Sequence, residues 1–369
     1  MSIRTEERHC ETGTLGVITL DAPSRLNALN GEMVDAMAAA LDQWRDNDAI
    51  ALVVIRAAGD KGFCAGGDLR DIYEALQSSE TAGIETARSY FGREYRLDYS
   101  LYRFPKPVIC IAHGITMGGG LGILSACRYR LVTPDVRLAT PEAAIGFFPE
   151  AGGSWFLNRL PEGIGLFMGL SGARLNATDA LRLGLADRMI PAQATDSLLD
   201  QLQSQHWRGE AAADDNRLFR LLNSFEEPAT ENQPVSQLAA LEGAISVACR
   251  QSSLPAIVSD LLRFEHHSQW WQDCKHQFKQ ASPLSLHLIH RQLESTRQKG
   301  LADRFAQELY VAEQCVRGKE FREGIRARLI DRDQSPKWQY TDIENVPPER
   351  VAAHFPDDDA VLETLRPDR

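Results

Sequence analysis

The sequence predicts an α/β protein: a sheet-containing domain over roughly the first 190 residues, then a mostly helical region. Three observations carry this. Short apolar runs rich in β-branched residues recur at 15–20 (LGVITL), 51–56 (ALVVIR) and 107–112 (PVICIA), as in strands buried on both faces. A helical pattern lies between the first two, with Met33, Met37, Leu41 and Trp44 repeating between Asn30 and Asp46, which fits right-handed β–α–β units. After about residue 150 the strand signals fade and helical patterns take over.

Along the later chain, GGSWFLNRL, GIGLFMGL and NATDALRLGLADRMI within 152–190 read as helices, the last capped at Asn176 or Thr178. Residues 284–293 and Asp303 to Arg317 are also helix-compatible. The polar stretch 208–236, with Pro228 and Pro234, reads as a linker or loop. The Pro-rich, charged tail after Ser335 reads as irregular in part. The expected division is a core domain over 1–195 and a mostly helical region over 196–369.

Composition narrows the function classes. The chain has 369 residues, of which 43% are apolar and 25% charged, ordinary values for a globular protein with a substantial core. A net charge of −11 makes the surface a poor attractor for nucleic acid or anionic membrane. No apolar run approaches the length of a membrane span. Seven cysteines, an odd number with no C-x-x-C pair, suit free thiols better than a disulfide framework or a structural zinc site. The polar start, MSIRTEERHCETG, lacks the apolar core of a secretory signal and is too acidic for a typical transit peptide, so the expected location is cytoplasmic.

Three segments are candidates for chemistry. Gly62–Arg70 (GFCAGGDLR) follows the 51–56 run, and Asp68 is placed to cap a helix over Leu69 to Leu76. Gly114–Gly122 (GITMGGGLG) follows the 107–112 run. It fails the dinucleotide fingerprint, because Ser125 stands where a third glycine belongs, and it has no Walker lysine. Each is a glycine-rich turn leading from a strand into a helix, at the end of the strand where open α/β sheets bind ligands. Two backbone N–H groups converging there would make an oxyanion hole. The third segment, Thr140–Gly153, holds Glu142 and Glu150 in apolar, Gly/Pro-punctuated surroundings. Burial would raise both pKa values and suit them to acid–base work near neutrality. Taken singly, a tight turn with a capped helix is the plainer reading of the first segment, and a helix cap at Glu142 with a surface Glu150 that of the third, while close helix–sheet packing explains the second equally well. On pattern alone Glu94 reads as a solvated helix residue, and His113 as a packed strand-end histidine.

In this order and spacing the three segments, with Pro23–Leu29 (PSRLNAL) as an entry motif, resemble the crotonase (enoyl-CoA hydratase/isomerase) superfamily. GFCAGGDLRDIYE, HGITMGGGLGI, PEAAIGFFPEAGGSWFLNRL and SGARLNATDALRLGLA resemble its 3-hydroxyisobutyryl-CoA hydrolase branch. Residues 281–293 and 315–338 resemble that branch's C-terminal region, which the shorter hydratases lack. The resemblance implies a crotonase-like spiral of β-β-α units with a helical C-terminal extension. It implies an oxyanion hole from the Gly67 and Gly119 N–H groups, catalytic roles for Glu142 and Glu150, and a substrate contact from Glu94. Hydratases of the superfamily carry a glutamate where this chain has Gly122, and the hydrolase branch usually has aspartate where this chain has Glu150.

The implied reaction is hydrolysis of a short 3-hydroxyacyl-CoA to the free acid and CoA, as in valine degradation. Glu142 either attacks the thioester or activates a water. No metal or dissociable cofactor is expected, CoA being part of the substrate. The expected partner is the acyl-CoA itself, with no nucleic acid or membrane; crotonase relatives often form trimers or pairs of trimers, which leaves a homo-oligomer open here, since the C-terminal extension could alter that habit. Enoyl-CoA isomerisation or hydration, and non-catalytic acyl-CoA binding, are the alternatives. Arg25 and Lys61 lie near the motifs, although a solvated role is the plainer reading of each.

Overall fold

The computed structural model describes residues 2–230, 232–358 and 360–368. Its elements up to the last strand include β1 (Ile3–His9), β2 (Thr14–Leu20), α1 (Gly31–Arg45), β3 (Ile50–Ala57), β4 (Gly62–Cys64), α2 (Arg70–Ser78), α3 (Glu80–Tyr102), β5 (Val108–Ala112), β6 (Ile115–Met117), α4 (Gly119–Ala126), β7 (Tyr129–Val132), β8 (Arg137–Ala139), α5 (Gly153–Leu157) and β9 (Arg188–Met189). Two compact units interleave along the chain. The first comprises residues up to Gly67, Ser100–Leu138 and Leu175–Ser236; the second comprises Asp68–Tyr99, Ala139–Arg174 and the residues from Gln237 onward. The sequence suggests one sequential division at residue 195, whereas the chain runs alternately through the two units.

In the first unit, among the described residues, one sheet has the order β1-β2-β3-β5-β7-β9 and a smaller one the order β4-β6-β8. β1 pairs antiparallel with β2, and the pairings from β2 through β9 are parallel. Alternate residues of the central strands (Leu15, Val17, Leu52, Val54, Ile109, Ile111) share one buried face. That face is covered by the helices Thr195–Gln203 and Ala211–Thr230 through Leu198, Leu202, Leu218, Leu222 and Phe225. The expectation of a linker or loop over 208–236 is therefore corrected for Ala211–Thr230, while 208–210 and 232–236 are irregular. Its polar composition hides an amphipathic helix whose apolar residues fall at i, i+4 and i+7. On the sheet's other face Trp44 of α1 packs so tightly on β2 that a Cβ at Gly16 would stand 2.5 Å from its ring.

Other expectations need smaller corrections. The strands and α1 begin and end within a residue or two of their predicted places, and Asn30 caps α1 by accepting from the Met33 N–H at 2.9 Å. Asn176 is likewise the cap of helix Ala177–Arg182. Arg188–Met189, predicted helical, is the short strand β9. α2 begins at Arg70, and Asp68 reaches the Arg70 N–H only at 3.4 Å instead of capping from Leu69. β1 escapes the sequence pattern because, in an edge strand, only Ile3 is buried.

In the second unit, α2, α3 up to Tyr99, α5, helix Ile164–Ser171 and the helices from Glu242–Ala248 onward pack together. The turn Glu142–Gly146 lies backbone to backbone against helix Lys319–Ile325. A Cβ at Gly146 would sit 2.3 Å from the Glu320 carbonyl oxygen, and one at Gly324 would sit 2.2 Å from Ile145. Only glycine tolerates that approach.

The same constraint joins the two sheets' crossover in the first unit. Gly114 has a φ of +51°, and its added Cβ would lie 2.4 Å from the Lys61 carbonyl oxygen. Gly114→Ala is therefore expected to lower stability by about 1–3 kcal/mol, as overpacking does, read from the midpoint of urea unfolding; an unchanged midpoint would contradict the close approach.

Candidate active site

In the first unit the two glycine turns come together. β4 and β6 pair in parallel through Gly62 with Ile115 and Cys64 with Thr116, so both strands deliver their turns at the same sheet end. Gly66, at φ +99°, abuts the second turn: its added Cβ would stand 3.3 Å from the Met117 carbonyl oxygen and 3.7 Å from the Gly119 nitrogen. Gly120 lets α4 sit against β4, since a Cβ there would be 2.5 Å from the Cys64 carbonyl oxygen. Gly119 is the first residue of α4, after Gly118 at φ +52°; an N–H at that position has no acceptor within its own helix. Gly67 forms a parallel bridge with Leu29, whose N–H donates to the Gly66 carbonyl at 2.9 Å. In that pattern the Gly67 N–H faces away from Leu29. Both predicted donors thus sit on adjoining turns, one at a helix N-terminus that favours negative charge.

Nearby in the same unit, Pro23, Ser24, Ala58, Asp60, Lys61 and Gly62 line a cleft of about 260 Å³. Lys61 is thus a wall of a pocket. Arg25 is exposed, and reaches Ser2 Oγ at 3.4 Å. His113 is half-buried, and desolvation lowers its pKa against the opposing pull of Asp135 and Asp60.

In the second unit the three predicted carboxylates come together. Glu94 is 2% exposed, Glu142 5% and Glu150 8%, which corrects the readings of Glu94 as solvated and of Glu150 as a surface residue. Asp98, one helical turn beyond Glu94 on α3, and Glu308, from helix Leu301–Arg317, are also fully buried and act on Glu150 through their charge. The enclosure is aromatic: Phe147 stacks on Phe91 at 5.3 Å between ring centroids and meets Phe148 at 4.9 Å and Phe321 at 5.0 Å. Removed from water, Glu142 is pushed up to about 8, and so is Glu94, in the latter case against a lowering contact with Tyr90. Glu150 is raised well above the usual carboxylate range by burial first, then by Glu94, Glu142, Glu308 and Asp98. The Tyr95 hydroxyl lies beside Glu150 without completing a hydrogen bond. One oxygen each of Glu94, Glu142 and Glu150 meets no hydrogen-bond partner among the described residues. The Glu142 turn is fixed by the Phe147 N–H donating to the Glu142 carbonyl at 3.0 Å, and by the Ser282 N–H donating to the Ala143 carbonyl at 3.0 Å.

Sequence reasoning missed Asp98 and Glu308. Each left a signal: Asp98 shares a helix face with Glu94, and Glu308 interrupts an apolar stripe of Phe305, Leu309 and Ala312. Among the described residues no group of three or more His, Cys, Asp or Glu side chains is arranged to hold a metal ion. All seven cysteines are free.

A family model described as enoyl-CoA hydratase/isomerase matches residues 15–355. The chain belongs to the enoyl-CoA hydratase/isomerase family. This family member is 34% identical over 343 residues to the human protein named 3-hydroxyisobutyryl-CoA hydrolase, mitochondrial, covering 93% of this chain and 86% of that one. Its likeness to the Danio rerio protein of the same name is 34% over 337 residues, covering 91% and 85%. Among solved structures, an enoyl-CoA hydratase from Rhodobacter sphaeroides superposes with a TM-score of 0.82 at 30% identity, covering 96% of this chain and 97% of that one. A carnitinyl-CoA dehydratase from Mycobacterium thermoresistibile gives 0.80 at 28%, covering 97% of each. The crotonase-type α/β fold, its helical C-terminal region included, is thus shared along nearly the whole family member. The relatives are named as mitochondrial proteins, which overturns the cytoplasmic expectation. Free thiols and an acidic composition do not separate those two compartments.

The raised carboxyls fix the sign of a stability effect. A Glu142 held at about 8 instead of 4.5 binds its proton more tightly in the folded than in the unfolded chain. Its contribution is complete below about pH 4.5 and is lost as pH rises through about 8. Urea unfolding of the family member is therefore expected to show stability falling across this window, and Glu142→Gln to fall less. An equal decline in the two proteins would contradict the shift.

Proposed function

We propose that this chain hydrolyses short 3-hydroxyacyl-CoA thioesters, chiefly 3-hydroxyisobutyryl-CoA and also 3-hydroxypropionyl-CoA, to the free acid and CoA. The observation that carries the reading is the likeness to named 3-hydroxyisobutyryl-CoA hydrolases over more than nine-tenths of the chain, C-terminal region included. The geometry supports it with two glycine N–H groups on adjoining turns and a set of desolvated carboxylates.

In this mechanism the thioester carbonyl oxygen accepts hydrogen bonds from Gly67 and Gly119. As the carbonyl carbon becomes tetrahedral, charge develops on that oxygen, and each preorganised donor contributes about 3–4 kcal/mol to its stabilisation. Glu142, ionised, either attacks the carbonyl carbon, expelling CoA thiolate and leaving a mixed anhydride for water to open, or takes a proton from the attacking water. A carboxylate whose pKa is raised to about 8 is a stronger base for the second task than an ordinary one. Glu150 accepts or donates a hydrogen bond at the substrate 3-hydroxyl, and Glu94 orients the acyl end. The reaction needs no metal or dissociable cofactor. Release of a branched 3-hydroxy acid suits a step of valine degradation.

Hydration or isomerisation of an enoyl-CoA is the second reading, favoured by the superposition on the Rhodobacter sphaeroides enoyl-CoA hydratase. Against hydration stands Gly122, a buried glycine in α4 that supplies no second carboxylate; isomerisation needs only one, Glu142 or Glu150, and would show as a double-bond shift without CoA release. A thiol-trapping assay with 3-hydroxyisobutyryl-CoA, 3-hydroxypropionyl-CoA and crotonyl-CoA separates the two. Free CoA is expected from the hydroxyacyl thioesters, and Glu142→Gln is expected to reduce its release by at least about 100-fold while CoA binding persists. Conversion of crotonyl-CoA with no CoA release from either hydroxyacyl substrate would overturn the proposal.

A further inference from the structure

Glu150 leads directly into a turn that something must hold. Ala151 has a φ of +53° and Gly152 of +80°, and the Gly153 N–H closes the turn on the Glu150 carbonyl at 2.8 Å. A left-handed alanine is costly and persists only where surroundings enforce it. α5 starts at Gly153 with Gly152 as its cap residue, which has no side chain to satisfy the helix's first N–H groups. Glu308 does so from far along the chain. One of its oxygens accepts from the Gly152 N–H at 2.9 Å; the other accepts from the Ser154 N–H at 2.9 Å and the Ser154 hydroxyl at 2.5 Å. Arg304, one turn earlier on the same helix, donates to the Ser154 carbonyl and lies 5.2 Å from the Trp155 ring centroid. The carboxylate of a C-terminal helix thus grips the two residues that flank Gly153, starting two positions after Glu150.

We propose that Glu308 is a positioning residue that sets where the Glu150 carboxyl meets the substrate 3-hydroxyl, so that the C-terminal region determines discrimination for hydroxylated acyl groups. This rests on the proposed role of Glu150 at that hydroxyl. Misplacing a reacting or binding group by about 1 Å costs on the order of 100-fold in rate.

The test compares 3-hydroxyisobutyryl-CoA with its deoxy analogue isobutyryl-CoA in the full-length protein. Glu308→Gln puts an amide N–H against a backbone N–H; Ser154→Ala removes one bond and is the milder variant should the first not fold. Each is expected to lower the kcat/KM ratio for hydroxylated over deoxy substrate, by about 10-fold or more for Glu308→Gln, chiefly through kcat. In a Glu150→Gln background neither is expected to change the ratio further, because both act through one group. An equal loss on both substrates, or a full additional loss in the Glu150→Gln background, would overturn the proposal and leave Glu308 a fold-stabilising residue. Absence of CoA release from wild-type protein would instead defeat the hydrolase reading. The clamp is then read from the Glu150 carboxyl band, isolated as wild type minus Glu150→Gln in infrared difference spectra. A band moved by Ser154→Ala, which leaves the charges of Glu308 and Glu150 in place, supports the clamp, and an unmoved one refutes it.

Discussion

Removing carboxylates from water is the costliest thing this molecule does. In the second unit Glu94, Asp98, Glu142, Glu150 and Glu308 lie buried among aromatic rings, with Arg304 the cation that acts on Glu308. An ionised carboxylate in such a place loses several kcal/mol of hydration unless it is paired. The molecule answers in two ways. Glu308, held only to about 7, receives backbone and hydroxyl donors and the charge of Arg304. Glu94, Glu142 and Glu150 answer by holding their protons more tightly. The first kind of carboxylate anchors a turn; the second kind stays protonated to higher pH than an ordinary carboxyl.

Close backbone approach is the complementary device. In the first unit Gly114 and Gly120 bring the ends of β4 and β6 and the start of α4 within distances that no other residue allows, and Gly66 turns the chain beside them at φ +99°. In the second, Gly146 and Gly324 do the same for the Glu142 turn. Dipoles fixed in this way need no reorganisation when charge develops, which is why preorganised N–H groups are effective donors to an oxyanion.

Much of this was legible in the sequence where chemistry and spacing coincide. The apolar runs gave β2, β3 and β5, the paired and tripled glycines gave the two turns, and Glu142 and Glu150 stood out in an apolar loop. Other features were hidden for physical reasons. β4, β6 and β8 are three residues each, too short for a period to register. Helix Ala211–Thr230 was masked by polar composition although its buried positions keep helical spacing. Burial of Glu94 and the clamp from Glu308 depend on contacts between segments remote in sequence, and a helical pattern does not carry such contacts. The interleaving of the two units is likewise a property of packing.

Burial lifts Glu142 to about 8, the value that its proposed work on the thioester depends on. The pH dependence of kcat/KM for CoA release from 3-hydroxyisobutyryl-CoA tests it most directly, because that ratio reports ionisations of the free enzyme. The account predicts a rate rising with pH to a midpoint near 8, the value to which burial pushes Glu142, as one macroscopic step of a coupled set. A profile flat through this region, or one with its midpoint at the ordinary glutamate value near 4.5, would contradict it.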